Sequence, residues 1–528
     1  MSRIVFICVI TSLMLGLCVR GKLPDQYSFS SIFGDDDNIS PSPSCPYHPQ
    51  PVPLPSPLPG VISDALNNIF QYITEVLYDN ETAPGLVARI SYRDTDLLSV
   101  AYGVKDKKKP DVKPDGDTIF RIGSLSKVFV VLMLFQLFDR GEVKALDDPI
   151  TDYCPSFSMH NPFDDDNVIT LRQMASQLSG LPQYPPCQPD FLLGKFCPDT
   201  TANMIKKLSE QYVVRPTYTR PIYSNTAYAL LAHCLIEKLH PLLTYESYVQ
   251  KYILEPLNMT NTGFTLTERI RSTMAVGYNA DGSKAPLYDL GWAGPSGQMY
   301  STVNDLMKLA KCLKMNEGCA GILKPNFVKE IGLPAFIDYD YKTAFGTPFE
   351  MVLISGGYLI RCKGGRINGY TSYFSYSPEL QLSFCMTISG DADISGVMMY
   401  VYDELLKPLV NVLSTIQPKV PSIPNPQMYI GNYSNFFIGE VSIFQQDDTL
   451  MMHLPTNYVG NQTVPLSYHD DHSMQLVEPR VVPDYCFIYE VFPAFKAWVY
   501  FDDVDKKTGK IPSLRIPGDF GELHFTRK

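Results

Sequence analysis

Apolar residues change their period several times along the chain. Over residues 61–78 they recur at helical spacing (Leu66, Ile69, Phe70, Ile73, Val76, Leu77), which predicts an amphipathic helix. Residues 85–92 and 97–104 are β-rich runs on either side of Arg93-Asp94-Thr95-Asp96 and predict a hairpin. Residues 128–135 are apolar at every position, so they predict a helix buried all round, with Gly141 placed to cap its C-terminus. Thr170-Leu171-Arg172-Gln173 has the form of a capping box opening another helix, which should stop near Ser179-Gly180-Leu181-Pro182. Residues 183–220, rich in Pro, Tyr and Cys, read as irregular. Further helices are predicted over 226–239 and after Ser301-Thr302, the latter with Leu306, Leu309, Ala310 and Leu313 on its apolar side. From Met351 strands dominate: 370–376 and 380–388 flank Ser377-Pro378-Glu379, and a last helix covers 395–413. Strands, then helices, then strands predict an α+β fold, an antiparallel sheet carrying helices on its faces. Residues 427–528 show only short alternating strands and predict a small β-sheet or barrel domain.

Composition marks the joints. Proline recurs almost every second residue from 41 to 59, so residues 22–60 are expected to be an extended linker or stalk. A second proline-rich stretch, 416–426, separates a domain over 61–415 from one over 427–528. Residues 1–21 have a short basic start and an apolar core, the pattern of a secretory signal peptide, with an uncleaved membrane anchor as the alternative. Five N-x-[ST] sequons follow, at Asn38, Asn80, Asn258, Asn432 and Asn461, and suggest a secreted, extracellular glycoprotein. Two of the 12 cysteines fall in the signal, and the even number left suits disulfides in an oxidising compartment. Cys187 with Cys197, and Cys312 with Cys319, are close enough to be local staples. No C-x-x-C pair occurs, so no zinc module is indicated. A net charge of −11 argues against nucleic acid as a partner and offers no polybasic surface to a membrane.

Candidate chemistry begins at Gly123-Ser124-Leu125-Ser126-Lys127, directly before the all-apolar run. Residues three apart share a helix face, so Ser124 and Lys127 would meet at the N-terminus of a buried helix. A serine hydroxyl needs a base or cation nearby to act as a nucleophile. Burial would lower the pKa of Lys127, and the helix end would favour developing negative charge. Two more motifs follow in order: Tyr223-Ser224-Asn225 before a helix, and Lys363-Gly364-Gly365 on a strand.

The order S-x-x-K, Y-x-N, K-x-G resembles the serine β-lactamase-like family: class C β-lactamases, penicillin-binding proteins and related esterases. Connecting blocks extend the likeness over most of 61–410, among them Leu146-Asp147-Asp148-Pro149, Leu178-Ser179-Gly180-Leu181-Pro182 and Gly365-Arg366-Ile367-Asn368-Gly369-Tyr370. The resemblance implies a β-lactamase/transpeptidase-like fold and a serine hydrolase that cleaves a small amide, ester or peptide substrate through an acyl-serine. Ser124 would be the nucleophile, Lys127 and Tyr223 would share the proton work, Lys363 would help hold a Tyr223 phenolate, and Asn225 would hold Lys127 or a substrate amide. Backbone N–H groups of Ser124 and Arg366 would form the oxyanion hole, and Asn225, Gly364, Gly365 and Arg366 would bind substrate. Gly364 stands where family members often carry a hydroxyl residue, which puts carboxylate and β-lactam recognition in question while leaving acyl transfer intact. No cofactor and no metal is implied. None of the histidines falls in a matching block, which speaks against a Ser-His-Asp triad. His469-Asp470-Asp471-His472 looks like metal ligands on paper but reads better as a solvated turn. The alternatives are a catalytically silent binding or scaffold protein on the same fold, and a peptidase acting on short peptides.

Overall fold

The computed structural model describes residues 48–78, 83–163, 168–189, 194–314, 319, 321–390, 392, 394–416, 423–437, 439–447, 449–454, 462–476, 498–518 and 521–528. They form two compact units, within His48–Lys419 and within Val420–Lys528. The signal-like segment 1–21 and the sequons at Asn38, Asn80 and Asn461 lie outside the described residues; Asn258 and Asn432 are exposed. No described helix is long and apolar enough to cross a membrane.

The larger unit is built on one antiparallel sheet. Its strands are β1 (Gly85–Tyr92) and β2 (Thr95–Gly103), then, past a short ribbon of β3 (Phe120–Arg121) with β4 (Tyr300–Ser301), β5 (Phe336–Ile337), β6 (Thr343–Phe345), β7 (Glu350–Ile354), β8 (Tyr358–Ile367), β9 (Tyr370–Ser377) and β10 (Leu382–Ser389). Among the described residues the sheet order is β2-β1-β10-β9-β8-β7-β6-β5. Strand side chains alternate between faces, and the sheet divides two cores accordingly. Leu86, Ala88 and Ile90 join Ile360, Leu382 and Phe384 beneath the helices Gly60–Tyr78 and Ser395–Thr415. Val87, Phe374 and Tyr376 face the second core, which holds the helices Ser126–Asp139, Asn225–Leu239 and Val303–Lys314. β10 is buried along its whole length because both cores cover it.

The all-apolar run forms the expected helix, Ser126–Asp139, buried from Ser126 to Leu137, and Gly141 follows it at φ 73°. The Thr170 capping box is present: Thr170 Oγ1 accepts from Gln173 N at 3.2 Å, and Gln173 Oε1 accepts from Thr170 N at 2.9 Å. Its helix, Leu171–Ala175, ends before Ser179 because Gln177 already takes a left-handed conformation at φ 65°. The stretch 183–220 is not wholly irregular. It holds the helix Thr201–Leu208, capped by the Thr200 hydroxyl and burying Met204, Ile205 and Leu208.

The end of the proline-rich stretch departs from a free linker. Residues 48–60 lie against the sheet unit: Tyr92 donates to the Val52 carbonyl at 2.6 Å, Arg93 to the Pro51 carbonyl at 2.7 Å, and Val52, Leu54 and Leu58 pack on the first core. Extended backbone leaves its carbonyls free for such bonds. Cys187–Cys197 and Cys312–Cys319 are disulfides, and Cys154–Cys234 is a third. Cys362 and Cys385 are buried free thiols that face opposite cores, so pairing of the even count does not extend to them.

The smaller unit is a closed antiparallel barrel of eight strands, from Gly431–Asn435 to Gly521–Arg527. Tyr433, Val441, Met452, Val464, Leu514 and Phe525 fill it. The Arg527 guanidinium ties its seam, donating to the carbonyls of Ile430 and Met428 and to the Tyr433 hydroxyl at 2.7, 2.8 and 2.6 Å. His469 and His472 lie at the turn between Gln462–Asp470 and Ser473–Leu476, each 63% exposed, as a solvated turn requires.

Candidate active site

Ser124 occupies a tight helical turn, Gly123–Leu125, between β3 and the buried helix. The turn is pinned from both sides. The Ser126 hydroxyl donates to the Gly123 carbonyl at 2.7 Å and accepts from Met299 N at 3.1 Å. Gly123 has φ 50°, and a Cβ there would sit 2.7 Å from Arg366 N, so this position needs glycine on two counts.

Lys127 is the second residue of that helix, and none of its surface is exposed. Its ammonium donates to Ser124 Oγ at 3.2 Å, Asn225 Oδ1 at 2.6 Å and the Ser296 carbonyl at 2.8 Å. These three acceptors use all three N–H groups. Burial, the largest influence, lowers the Lys127 pKa, while Tyr223 pulls it upward.

Tyr223 and Asn225 reach the site together because they flank Ser224, the N-cap of the helix Asn225–Leu239. Its hydroxyl accepts from Ala227 N at 2.9 Å and donates to the Pro182 carbonyl at 2.8 Å. The Tyr223 hydroxyl is hydrogen-bonded to Ser124 Oγ. Lys127 Nζ lies 4.7 Å and Lys363 Nζ 5.2 Å from the centre of the Tyr223 ring. Burial alone would raise the phenol's pKa, but the two ammonium groups outweigh it, and the net shift is downward.

Lys363 sits on β8, which passes the Ser124 turn. β7 pairs with β8 only as far as Glu350↔Cys362, so beyond Cys362 that edge of β8 is open toward the turn. Ser372 on β9 donates to the Ile122 carbonyl at 2.8 Å and holds the strands against it. A Cβ on Gly365 would overlap the Ile122 oxygen, so this glycine makes the approach possible. Gly364 does not share that role, since its Cβ would meet nothing closer than Tyr373 at 3.7 Å. Arg366 lines the cleft with its side chain exposed.

Glu350, which no motif marks, completes the cluster. Its carboxylate accepts from Lys363 Nζ at 2.7 Å. Burial would pull the Lys363 ammonium down, but Glu350 and Tyr223 more than offset it, and its pKa is raised. Ser124, Lys127, Tyr223, Asn225, Lys363, Gly364, Gly365 and Arg366 thus all meet at one place. Ser124, Tyr223, Asn225 and Lys363 open onto a cleft of about 1050 Å³. Among the described residues the one group with metal-ligand spacing is Cys187, Cys197 and Asp199, and its two sulfurs are joined in a disulfide.

The family model described as Beta-lactamase matches residues 70–398. The chain belongs to the beta-lactamase family. Putative beta-lactamase-like 1 of Homo sapiens is 37% identical over 402 residues, 74% of this chain and 78% of that protein. Beta-lactamase-like protein 2 of Dictyostelium discoideum is 28% identical over 489 residues, covering 87% and 86%. Among solved structures, a class C beta-lactamase from Rhodobacter sphaeroides aligns with TM-score 0.54 and 18% identity over 66% of this chain and 99% of its own. A penicillin-binding protein homologue from Pyrococcus abyssi aligns with TM-score 0.54 and 19% identity over 87% and 99%. These likenesses establish the β-lactamase/transpeptidase-like fold, and membership of the beta-lactamase family supports a hydrolase-type function.

Proposed function

We propose that the chain hydrolyses an ester or amide bond of a small substrate through an acyl-Ser124 intermediate. One observation carries this reading: the Ser124 hydroxyl lies between the Lys127 ammonium and the Tyr223 phenol, and two lysines flank that phenol. With Tyr223 ionised, Ser124 donates its proton to the phenolate as Oγ attacks the scissile carbonyl. The Oγ–C bond forms, and the N–H groups of Ser124 and Arg366 receive the negative oxygen, each worth about 3 kcal/mol. Collapse breaks the bond to the leaving alcohol or amine, which takes the proton back from Tyr223. Water then attacks the acyl group with the same phenolate as base, releasing a carboxylic acid and restoring Ser124. Lys127 and Lys363 favour the phenolate to which Tyr223 returns after each proton transfer. Asn225 offers its amide N–H to the substrate, since Lys127 occupies its Oδ1, and the Gly364–Gly365 edge offers backbone groups.

Labelling with a fluorophosphonate tests this reading. The adduct is expected on the peptide that carries Ser124, and Ser124→Ala should abolish it and lower turnover by at least ~10³-fold. Folded protein that takes up no label, beside a control hydrolase that does, would instead favour a silent scaffold. Three disulfides and two exposed sequons also support passage through the secretory pathway. Enzymatic deglycosylation of the expressed protein should therefore reduce its apparent mass.

A further inference from the structure

The acyl-transfer chemistry uses one end of the cleft and leaves a wall unexplained. Tyr184, Pro185, Phe196, Tyr288 and Leu290 bring apolar and aromatic side chains to the cleft that Ser124 lines. They come from two stretches remote from the three motifs, and those stretches are stitched together. The Cys187–Cys197 disulfide ties the segment of Tyr184 and Pro185 to Phe196. Phe196 N donates to the Asp289 carbonyl at 2.7 Å, and Trp292 N to the Cys197 carbonyl at 2.8 Å. Gly291, at φ 58°, lies so close to the Cys197 carbonyl that any side chain there would overlap it. Tyr288 is held as well: the buried Arg121 guanidinium sits 5.3 Å from its ring centre, and its hydroxyl donates to Asn368 Oδ1 at 3.3 Å.

A wall fixed in this way offers apolar surface without an ordering cost on binding. Yet Tyr184 is 59% exposed, so its ring stands ready to be covered. Among the described residues the cleft lining has no carboxylate to pair with an ammonium group. An apolar group held on the acyl side remains bound through both acylation and deacylation, so its contacts act on both steps. We infer that the disulfide-clamped wall binds a bulky apolar acyl group, which makes the substrates esters or amides of medium-chain or aromatic carboxylic acids. This rests on the acyl-Ser124 reading.

The test is a series of p-nitrophenyl esters, acetate, butyrate and octanoate, in which only the acyl group changes. A fully buried methylene is worth about fourfold in kcat/KM. Partial burial along the chain should still give octanoate an advantage over acetate of at least ~10²-fold. Phe196→Ala, and separately the double variant Cys187→Ser with Cys197→Ser, should each shrink the octanoate-to-acetate ratio about tenfold. A flat series, or a Phe196→Ala loss equal for both esters, overturns the inference. So does a chain-length gain that appears only when the alcohol is varied instead. Intact-mass detection of the acyl adduct on Ser124 separates the two failures. A flat series with the adduct present removes only the apolar acyl site, while no adduct from any ester removes the hydrolase reading with it.

Discussion

Tyr223 carries two opposing influences, and their balance sets the chemistry. Burial works against a phenolate, while Lys127 and Lys363 work for it and win. Tyr223→Phe keeps the ring and both lysines but removes the proton acceptor, so turnover should drop by ~10²–10⁴-fold with folding intact. The pH profile follows from the same shifts. Activity should fall on acidification as the phenolate is protonated, and should fall again in alkali as Lys127, whose pKa burial lowers, loses its charge before Lys363, whose ammonium is held above its ordinary range. Two adjacent glycines give a sharper contrast. Gly365→Ala forces a Cβ into the Ile122 carbonyl and should part β8 from the Ser124 turn, whereas Gly364→Ala meets only ordinary contact with Tyr373. Thermal melts and labelling of the two variants should differ accordingly, with Gly364→Ala near wild type. The serine, the two lysines, the tyrosine and Asn225 were legible because each lies in a short motif with local spacing. The separate roles of Gly364 and Gly365 were not, since they depend on what lies across the strand edge.

Strand register explains the residue that the motifs miss. Glu350 opens β7 and pairs opposite Cys362, which brings its carboxylate onto Lys363. The two are 13 residues apart in the chain, with only a strand and a turn between them, and nothing in the sequence announces the contact. Glu350→Gln removes the charge that raises Lys363, so the ammonium should be lost at lower pH. The alkaline limb of kcat/KM should then move down, and Glu350→Asp should restore part of it. An unchanged limb beside a mere fall in stability would leave Glu350 a structural role only. Elements with a strong pattern were legible: the buried Ser126–Asp139 helix, the Thr170 capping box and the β1–β2 hairpin. The Thr201–Leu208 helix was not, because proline and tyrosine around it hide a pattern of buried positions at 201, 204, 205 and 208. The docking of residues 48–60 was equally hidden, since it rests on backbone carbonyls rather than side-chain pattern.

For the molecule as a whole, a buried lysine outside the site links stability to pH. Lys314 on the helix Val303–Lys314 donates to Ser91 Oγ at 2.6 Å beneath the sheet, without a carboxylate at bonding distance among the described residues. Burial, the largest cause, brings its pKa from 10.5 down to about 8, against the upward pull of Asp94 and Asp96. Between those values the unfolded chain binds more protons than the folded one, so stability from this group rises with pH. The cost of the buried charge is present below about 8 and fades toward 10.5. Lys314→Met should remove a rise on the order of 2–3 kcal/mol across that window, measured by urea unfolding at its two ends. The Ser91 and Ser383 hydroxyls, 3.0 Å apart, would still pair with each other. The α+β order and the all-β C-terminal part were legible from period alone. That the latter closes into a barrel was open, because closure depends on the first strand meeting the last, Tyr433 opposite Arg527.

The ionisation of Tyr223 itself is the most direct test of the account. Ultraviolet difference titration of the folded protein against its Tyr223→Phe variant isolates this phenol, while burial moves Tyr92, Tyr228, Tyr245 and Tyr376 upward and out of the way. The expected result is a phenolate that forms with a midpoint below about 10, the ordinary tyrosine value. A midpoint at or above that value would contradict the claim that two lysines hold a base beside Ser124.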